Sequence, residues 1–409
     1  MKKTKMKLTN KILLGLFLGI LTGLLLGDHP EIAETFIKPF GTLFINAIKM
    51  IIVPLIFSSL VVGASSMNDA KEIGRIGSKV LIYFLITTFF AVTIGITLAI
   101  LIKPGLGLTI PVGTTVSTRE VPSMIDTLVG IIPSNPLGDM VQGHILQLIV
   151  FALVCGISAT LLPDGRGKPF LQLASTIQEM FTKVTGVVMS FAPIGVFGLI
   201  TPVVAVNGID VLLVLLKVIL AVYIGCILHA LITYSSLLKI FTKLTLREFF
   251  KGMFPATLTA FTTCSSLATL PVTIKCTKEN LKIPDKISTF VLTLGSSMNT
   301  DGTALYIGVT AIFSAQVCGI DLSTTQLGLI ALSATLGSIG AGSVPGGSFI
   351  MLMLALQSVG LPLEATALIA GIDRILDMPR TAVNILGDSS AATVISGSEE
   401  KRKRLSEAI

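Results

Sequence analysis

Five polar side chains stand at intervals of four, three, four and four residues near the C-terminus: Asp373, Asp377, Arg380, Asn384 and Asp388. On a helix, which turns about 100° per residue, those intervals gather all five within about 80° of arc. Arg374 lies to one side of this stripe and Thr381 borders it. Arg380 suits a carboxylate, because a planar guanidinium pairs with one bidentately. Asp377, one turn earlier, suits an ammonium, and Asn384, one turn later, can reach a second carboxylate. Asp388, deeper along the face, is left as a cation ligand. The ligand these groups describe is a zwitterion with an additional acid group. An internal Asp377–Arg380 ion pair serving structure alone is the competing reading, and such a pair in the ligand-free state would not forbid binding.

A further carboxylate, Asp301, interrupts an apolar segment in Met298-Asn299-Thr300-Asp301-Gly302-Thr303. A charge there is costly and is usually kept for an ion, a substrate or a partner charge; a buried helix–helix hydrogen bond is the plainer alternative. Gly302 permits local unwinding, which would free the carbonyls of Gly295 and Asn299 for a cation. A small hard cation such as Na⁺ takes oxygen ligands of this kind. Thr87 and Thr88 could add hydroxyls, although a Thr pair in an apolar helix is more often packing.

Composition says what must hold these groups in place. Of 409 residues 52% are hydrophobic and 13% charged, with a mean hydropathy of +0.88, where a soluble domain carries about 25% charged residues. At roughly 20 apolar residues per membrane helix, there is room for about eight to ten segments that cross or enter a bilayer. A soluble enzyme, a disordered chain and a single-anchor receptor are excluded. The net charge of +7 does not indicate nucleic acid, because the basic residues sit in short clusters between apolar runs, as in the inner loops of membrane proteins. Cys155, Cys226, Cys264, Cys276 and Cys318 have no paired spacing and read as reduced thiols. His29, His144 and His229 are too scattered to suggest a metal site. No motif places a His or Lys beside Ser265 or Ser266, which argues against a membrane enzyme. The polar residues converge on one locus instead of lining a pore, which argues against a channel.

Long apolar runs, free of charge but for Lys49 and Lys217, predict helices near 12–27, 40–66, 80–102, 140–163, 184–209 and 211–238. The fold is all-α, since at this hydropathy only helices satisfy every backbone group in lipid. The start has the basic-then-apolar form of a signal peptide but lacks a small-x-small cleavage site before Asp28, so a retained first helix is expected. Basic residues recur at every second connection and are nearly absent from 28–37 and 104–142, which places the N-terminus and the basic loops in the cytoplasm.

Two segments break this alternation. Residues 252–274 are apolar yet have Lys239, Lys243, Arg247 and Lys251 before them and Lys275, Lys278, Lys282 and Lys286 after. If both flanks are cytoplasmic, the segment turns back at mid-depth around Thr262-Thr263-Cys264-Ser265-Ser266. Residues 322–363 contain no charged side chain, and one straight helix of that length would span about 63 Å against a hydrocarbon thickness of about 30 Å. This segment must fold back too, around the Gly-rich run from Gly337 to Ser348, entering from outside. Each hairpin precedes a full helix, about 283–313 and 365–392. Two such units from opposite faces describe an inverted repeat and point to a secondary transporter.

These motifs resemble the glutamate and aspartate transporters, or dicarboxylate/amino acid:cation symporters, over about residues 8–398. The carriers are Ser265-Ser266-Leu267-Ala268-Thr269-Leu270-Pro271, Asn299-Thr300-Asp301-Gly302-Thr303-Ala304-Leu305-Tyr306, Gly340 to Gly346, and Asp377-Met378-Pro379-Arg380-Thr381 with Asn384, Gly387 and Asp388. The resemblance implies a polytopic all-α protein of eight transmembrane helices and two re-entrant hairpins, working as an elevator in a homotrimer. A scaffold would comprise residues 1–77 and 124–207, and a transport domain 78–103 and 208–398, with 399–409 a cytoplasmic tail.

In similar proteins the positions of Arg380 and Thr303 hold the substrate's side-chain carboxylate, and that of Asp377 its amino group. Asn384, Thr381 and Ser266 attend the main-chain carboxylate, with backbone groups at Ser265, Val344 and Gly346. One sodium site would use Gly295, Asn299, Asn384 and Asp388, and another Asn299, Asp301, Thr87, Thr88 and the carbonyl of Phe84. A third would use Ser297, Ser338, Ile339 and Ala341. The expected cargo is aspartate or glutamate with co-transported Na⁺, across the cytoplasmic membrane of a prokaryote, with both termini inside. C4-dicarboxylates or neutral amino acids, with sodium or protons, are the alternatives.

The sequence also departs from the family pattern. Thr300 stands where the family usually has a Met, the residue that links the sodium sites to the substrate in similar proteins, so the departure bears on coupling strength. Neither Cys264 nor Met378 is the accessory arginine common at one of those positions, and Arg374, one turn before Met378, is the candidate substitute. Ile307 replaces the acid tied to proton symport and potassium counter-transport in animal relatives, so neither is expected through that residue. Leu267 replaces a commonly polar residue at the first tip.

Overall fold

The computed structural model describes residues 8–65, 71–108, 132–142, 144–208, 210–341, 347–363 and 365–407. Among these the regular structure is helical, without a strand. In chain order the helices are α1 (Leu8–Leu25), α2 (Pro30–Ser65), α3 (Lys71–Ile102), α4 (Pro136–Gln142), α5 (Ile145–Leu161), α6 (Lys168–Ser190), α7 (Ala192–Asn207) and α8 (Asp210–Phe241). There follow α9 (Leu246–Thr263), α10 (Ser266–Glu279), α11 (Asp285–Met298), α12 (Asp301–Val317), α13 (Thr324–Ala341), α14 (Gly347–Ser358) and α15 (Thr366–Glu407). Among the described residues, α2, Arg75–Ile102 of α3, and α8 are long and apolar enough to cross a membrane, and the bent pair α6–α7 makes a fourth.

Packing gathers these helices around α12. Every residue of α12 from Asp301 to Ala315 is buried, as expected of a helix that is apolar all round. It lies between α3, α15, α8, α13 and α14. Small residues set the closest approaches. A Cβ on Gly95 would stand 2.2 Å from the Leu305 carbonyl oxygen, and one on Gly302 would stand 2.4 Å from that of Arg380, so the backbones of α3, α12 and α15 meet almost directly. Away from this centre, α1 packs on α7, and α2 on α5, α6 and α7.

Both fold-backs expected from the sequence occur. Helix α9 opens with a capping box between Thr245 and Glu248, ends at Cys264 in the left-handed conformation (φ 51°), and returns as α10 behind the Ser265 N-cap. The two helices pack on each other and on α15. The uncharged run 322–363 likewise divides into α13 and α14, which pack together; its turn, 342–346, lies outside the described residues.

Other expectations need correction. The single helix expected over 184–209 is two, α6 and α7, bent by 53° at Phe191, where Pro193 in the first turn of α7 removes a hydrogen bond and crowds the preceding turn. The run near 140–163 is likewise divided, into α4 and α5. The helix near 283–313 breaks at Asn299 and Thr300, which have non-helical backbones, and not at Gly302, which is helical. The Gly295 carbonyl is not freed, because it accepts the Asn299 N–H at 2.8 Å. The last helix continues without a break past 398 to Glu407.

Pro379 lies within α15 and cannot bond the carbonyl one turn before it; the hydroxyl of Tyr223 on α8 donates to that Ile375 carbonyl instead, at 3.1 Å. Farther along, beyond the apolar part of α15, Glu399 accepts from Arg75 at 2.6 Å and from Lys79 at 2.7 Å. Partial burial disfavours the charged form of Glu399, but the bonds from Lys79 and Arg75 outweigh it and hold the carboxyl below its ordinary range. A carboxyl whose folded pKa is depressed stabilises the fold above its unfolded value, about 4.3, and loses that contribution as pH falls through the folded value. Glu399→Gln should therefore lower thermal stability in detergent by about 0.5–1 kcal/mol at pH 7. The difference from wild type should shrink as pH falls below about 4, measured by melting both proteins across that range.

Candidate functional site

Helix α15 delivers its stripe to the buried face, as its spacing requires. Arg380 is 1% exposed. Its Nη2 lies 3.1 Å from Asp377 Oδ1 and 3.1 Å from Asp373 Oδ1, and its guanidinium carbon stands 4.2 Å from the ring centroid of Tyr306 on α12. Nε and Nη1 of Arg380 have no protein partner. The guanidinium is thus held at one nitrogen by two carboxylates and by an aromatic face, with further donors left over. The internal Asp377–Arg380 pair anticipated as an alternative is present, in this ligand-free structure. Thr381 donates to Asp377 Oδ1 at 3.3 Å.

The other face of Asp377 is also occupied. Arg374 Nη1 approaches Asp377 Oδ2 at 3.3 Å, while its Nη2 donates to the Thr263 carbonyl at 3.0 Å. A single arginine therefore joins α15 to the last residue of α9, beside the turn at Cys264. Ser265 at that turn uses its hydroxyl oxygen to accept the Ala268 N–H at 3.2 Å, so its side chain serves the helix cap. Ser266 follows, half-buried.

Around the break between α11 and α12 the polar groups interlock. Asn384 Oδ1 accepts the Gly302 N–H at 2.8 Å, supplying an acceptor to the first turn of α12, whose N–H groups have none within the helix. Asn299 Nδ2 donates to the Asn384 carbonyl at 2.9 Å and to Asp388 Oδ1 at 2.9 Å, leaving the buried Asn299 Oδ1 without a partner. Gly295 backs directly onto Asp388, where a Cβ would meet Oδ1 at 2.4 Å. Gly295, Asn299, Asn384 and Asp388, predicted as one cation set, are brought together.

The second predicted set forms on the other side of Asn299. Asp301 is wholly buried and accepts from Thr88 at 2.6 Å and from Tyr234 at 2.7 Å. Thr87, also buried, donates to the Phe84 carbonyl at 3.3 Å. His229 Nε2 lies 3.3 Å from Asp301 Oδ2. In the sequence His229 stands far from the other histidines and Tyr234 belongs to no motif. Both come from α8, where a π-helical turn over Ala230–Tyr234 closes with i→i+5 bonds and stacks residues five apart. The usable signal was a histidine and a tyrosine in a run otherwise free of charge.

The third set is less complete. The Ser338 carbonyl is 3.5 Å from the Thr300 hydroxyl, and the Ser338 hydroxyl donates to the Thr335 carbonyl at 2.8 Å. Ser297 is half-buried on α11. Ile339 and Ala341 lie in the last turn of α13. Thr303, in the first turn of α12, faces Ser348 of α14 with hydroxyls 3.5 Å apart. Val344 and Gly346 lie outside the described residues.

Chemically, the arrangement offers anion donors at Arg380, a carboxylate at Asp377, and two deeply buried carboxylates, Asp301 and Asp388. No ion pair to Lys or Arg is formed by either of these two among the described residues. No group of three or more His, Cys, Asp and Glu residues is clustered as for a transition metal, among the described residues. The orphaned Asn299 oxygen beside Asp388 fits a hard cation, which takes carboxylate, amide and carbonyl oxygens without needing such a cluster.

Comparison with known proteins agrees with this chemistry. The sequence model described as the sodium:dicarboxylate symporter family matches residues 8–398. A proton/sodium-glutamate symport protein of Geobacillus stearothermophilus is 37% identical over 98% of this chain and 97% of its own length. A proton/glutamate-aspartate symporter of Escherichia coli (strain K12) is 38% identical over 99% and 95%. A C4-dicarboxylate transport protein of Laribacter hongkongensis is 32% identical over 95% and 90%. The chain belongs to the sodium:dicarboxylate symporter family and is a multi-pass membrane transporter, not an enzyme.

Proposed function

We propose that this protein is a sodium-coupled symporter that imports an acidic amino acid, aspartate or glutamate. The observation that carries the reading is the Arg380 guanidinium, enclosed in protein with Nε and Nη1 unpartnered. A buried donor of that kind is costly unless an anion completes it. The substrate's side-chain carboxylate meets Arg380 and Thr303. Its ammonium takes Asp377, and its main-chain carboxylate meets Asn384, Thr381, Ser266 and the backbone at Ser265, Val344 and Gly346. On binding, the Asp377–Arg380 contact is exchanged for one substrate group on each partner, so a C4-dicarboxylate, lacking the ammonium, leaves Asp377 unmatched.

Coupling follows from charge. Asp301 and Asp388 are two buried carboxylates facing the break between α11 and α12. Cations held there by Gly295, Asn299, Asn384 and Asp388, and by Asn299, Asp301, Thr87, Thr88 and Phe84, relieve that burden and fix the chain that presents Thr303 and Arg380. A third site would use Ser297, Ser338, Ile339 and Ala341. Oxygen-only ligand sets favour sodium, although the names of similar symporters include protons.

The wider architecture belongs to the same proposal: eight crossings and two re-entrant hairpins, α9–α10 and α13–α14, in a homotrimer. Residues 1–77 and 124–207 act as a scaffold, against which 78–103 and 208–398 move as an elevator, with 399–409 as the tail. The packing of α1 on α7 and of α2 on α5, α6 and α7, and of α3, α8, α13, α14 and α15 around α12 with α9, α10 and α11 on α15, supports that division. Alternating basic connections support cytoplasmic termini.

Purified protein in proteoliposomes should accumulate radiolabelled aspartate or glutamate under an inward sodium gradient at matched pH; uptake driven by a proton gradient alone overturns sodium coupling. Arg380→Cys should lower acidic substrate uptake by at least about 100-fold, since truncating one member of a buried charge pair is severe, and should admit neutral amino acids. Unchanged aspartate affinity overturns the clamp. Asp388→Asn should raise the half-saturating sodium concentration by about tenfold, and an unaltered sodium titration removes Asp388 from the cation site.

A further inference from the structure

His229 and Tyr234 of α8 are both buried at Asp301, yet neither belongs to the cation sets described above. Five residues apart, they would stand about 140° apart on an α-helix. The π turn over Ala230–Tyr234 brings them to one side, and their rings meet edge to face with centroids 4.7 Å apart. Single π turns within α-helical segments are rare and occur frequently at functional sites. The facing helix leaves room for the pair: a Cβ on Gly387 of α15 would stand 2.6 Å from the Tyr234 hydroxyl.

The hydrogen bonds divide the carboxylate of Asp301 unequally. Tyr234 donates to Oδ2 at 2.7 Å, and His229 Nε2 lies 3.3 Å from the same oxygen. Among the described residues Oδ1 accepts from Thr88 alone, at 2.6 Å. An ionised carboxylate accepts without donating and has about four lone-pair positions, two on each oxygen. Nε2 therefore carries the imidazole hydrogen toward Asp301. Two donors fill Oδ2, and one position stays open on Oδ1. Packing alone would not select this arrangement, because His229 Nδ1 is left buried without a partner, a cost that an apolar side chain of similar volume avoids.

We infer that His229 and Tyr234 are positioning residues for the co-transported cation. By occupying Oδ2 they fix the plane of the carboxylate and keep the open position of Oδ1 on the side of α3, where Thr88 already bonds it. They touch Asp301 and not the ion, as the outer partners of ion ligands commonly do. This rests on the cation reading above and deepens it, since it brings α8 into the control of an ion otherwise held by α3, α11 and α12.

The test uses the full-length protein in detergent without substrate, with sodium as the probe and the sodium-dependent rise in melting temperature as the readout. The amide nitrogen of a glutamine reaches the place of Nε2, whereas that of an asparagine reaches only the place of Nδ1. His229→Asn and Tyr234→Phe should each raise the half-saturating sodium concentration about tenfold, the scale for a hydrogen bond to a charged group. His229→Gln should stay within about threefold of wild type, and the melting temperature in sodium-free buffer should be unchanged in all three. Sodium titrations within about twofold of wild type in both His229→Asn and Tyr234→Phe overturn the assignment. Equal weakening by His229→Gln and His229→Asn overturns it too, as does a lowered sodium-free melting temperature, which marks a structural role. Should wild type itself show no stabilisation by sodium, the cation reading fails and this role falls with it. A normal wild-type titration with unaffected variants sinks only the role of His229 and Tyr234.

Discussion

A guanidinium taken out of water must be matched charge for charge and donor for donor, and the centre of this protein is organised around meeting that demand for Arg380. Asp373 and Asp377 share one of its nitrogens and the Tyr306 ring covers its face. This is half a solution, since two nitrogens stay unpartnered. A purely structural ion pair would be completed within the protein, because unmet buried donors are costly. An incomplete one is the form that the proposed anion site requires.

The backbone is shaped to the same end. Helix α12 begins at Asp301, where its amide dipoles favour a negative charge, and the interruption at Asn299 and Thr300 leaves polar groups that an unbroken helix would have consumed. Asn384 fills part of that gap by accepting from Gly302, and Asn299 fills another part by donating to Asp388. Proline plays a parallel part in α15. The carbonyl that Pro379 cannot bond is taken by Tyr223 of α8, so the residue that breaks the ladder just before Arg380 also fastens a second helix to it. Glycine allows the approach, since a side chain on Gly302 or Gly95 would force α12 away from its neighbours.

The two hairpins reach this centre by different contacts. The first is held through Arg374, which bonds the Thr263 carbonyl and flanks Asp377. That arginine sits on α15, not on the tip, so the first hairpin is read by the same helix that carries Arg380. The second touches α12 through Ser348 and, one turn short of its tip, through the Ser338 carbonyl at Thr300. Thr300 thus lies between the hairpin and the buried carboxylates at Asp301 and Asp388.

Much of this was legible without coordinates. The helical class followed from hydropathy, and the stripe from Asp373 to Asp388 followed from spacing alone, because a helix converts intervals of three and four residues into a single face. The fold-backs at 252–274 and 322–363 were forced by charge placement and length. Three things were not legible. The bend between α6 and α7 depends on local packing at a proline, which hydropathy averages away. The pairing of His229 and Tyr234 on Asp301 requires a π turn, and at about 100° per residue a spacing of five places two side chains about 140° apart. The meeting of Ser348 with Thr303 joins residues 45 apart in sequence on separate helices. Periodicity and composition act within one element, so they determined which face of each helix is polar. Which polar faces meet, at what separation and with which atoms left unmatched, was decided only by the packing of α12 against α3, α8, α14 and α15.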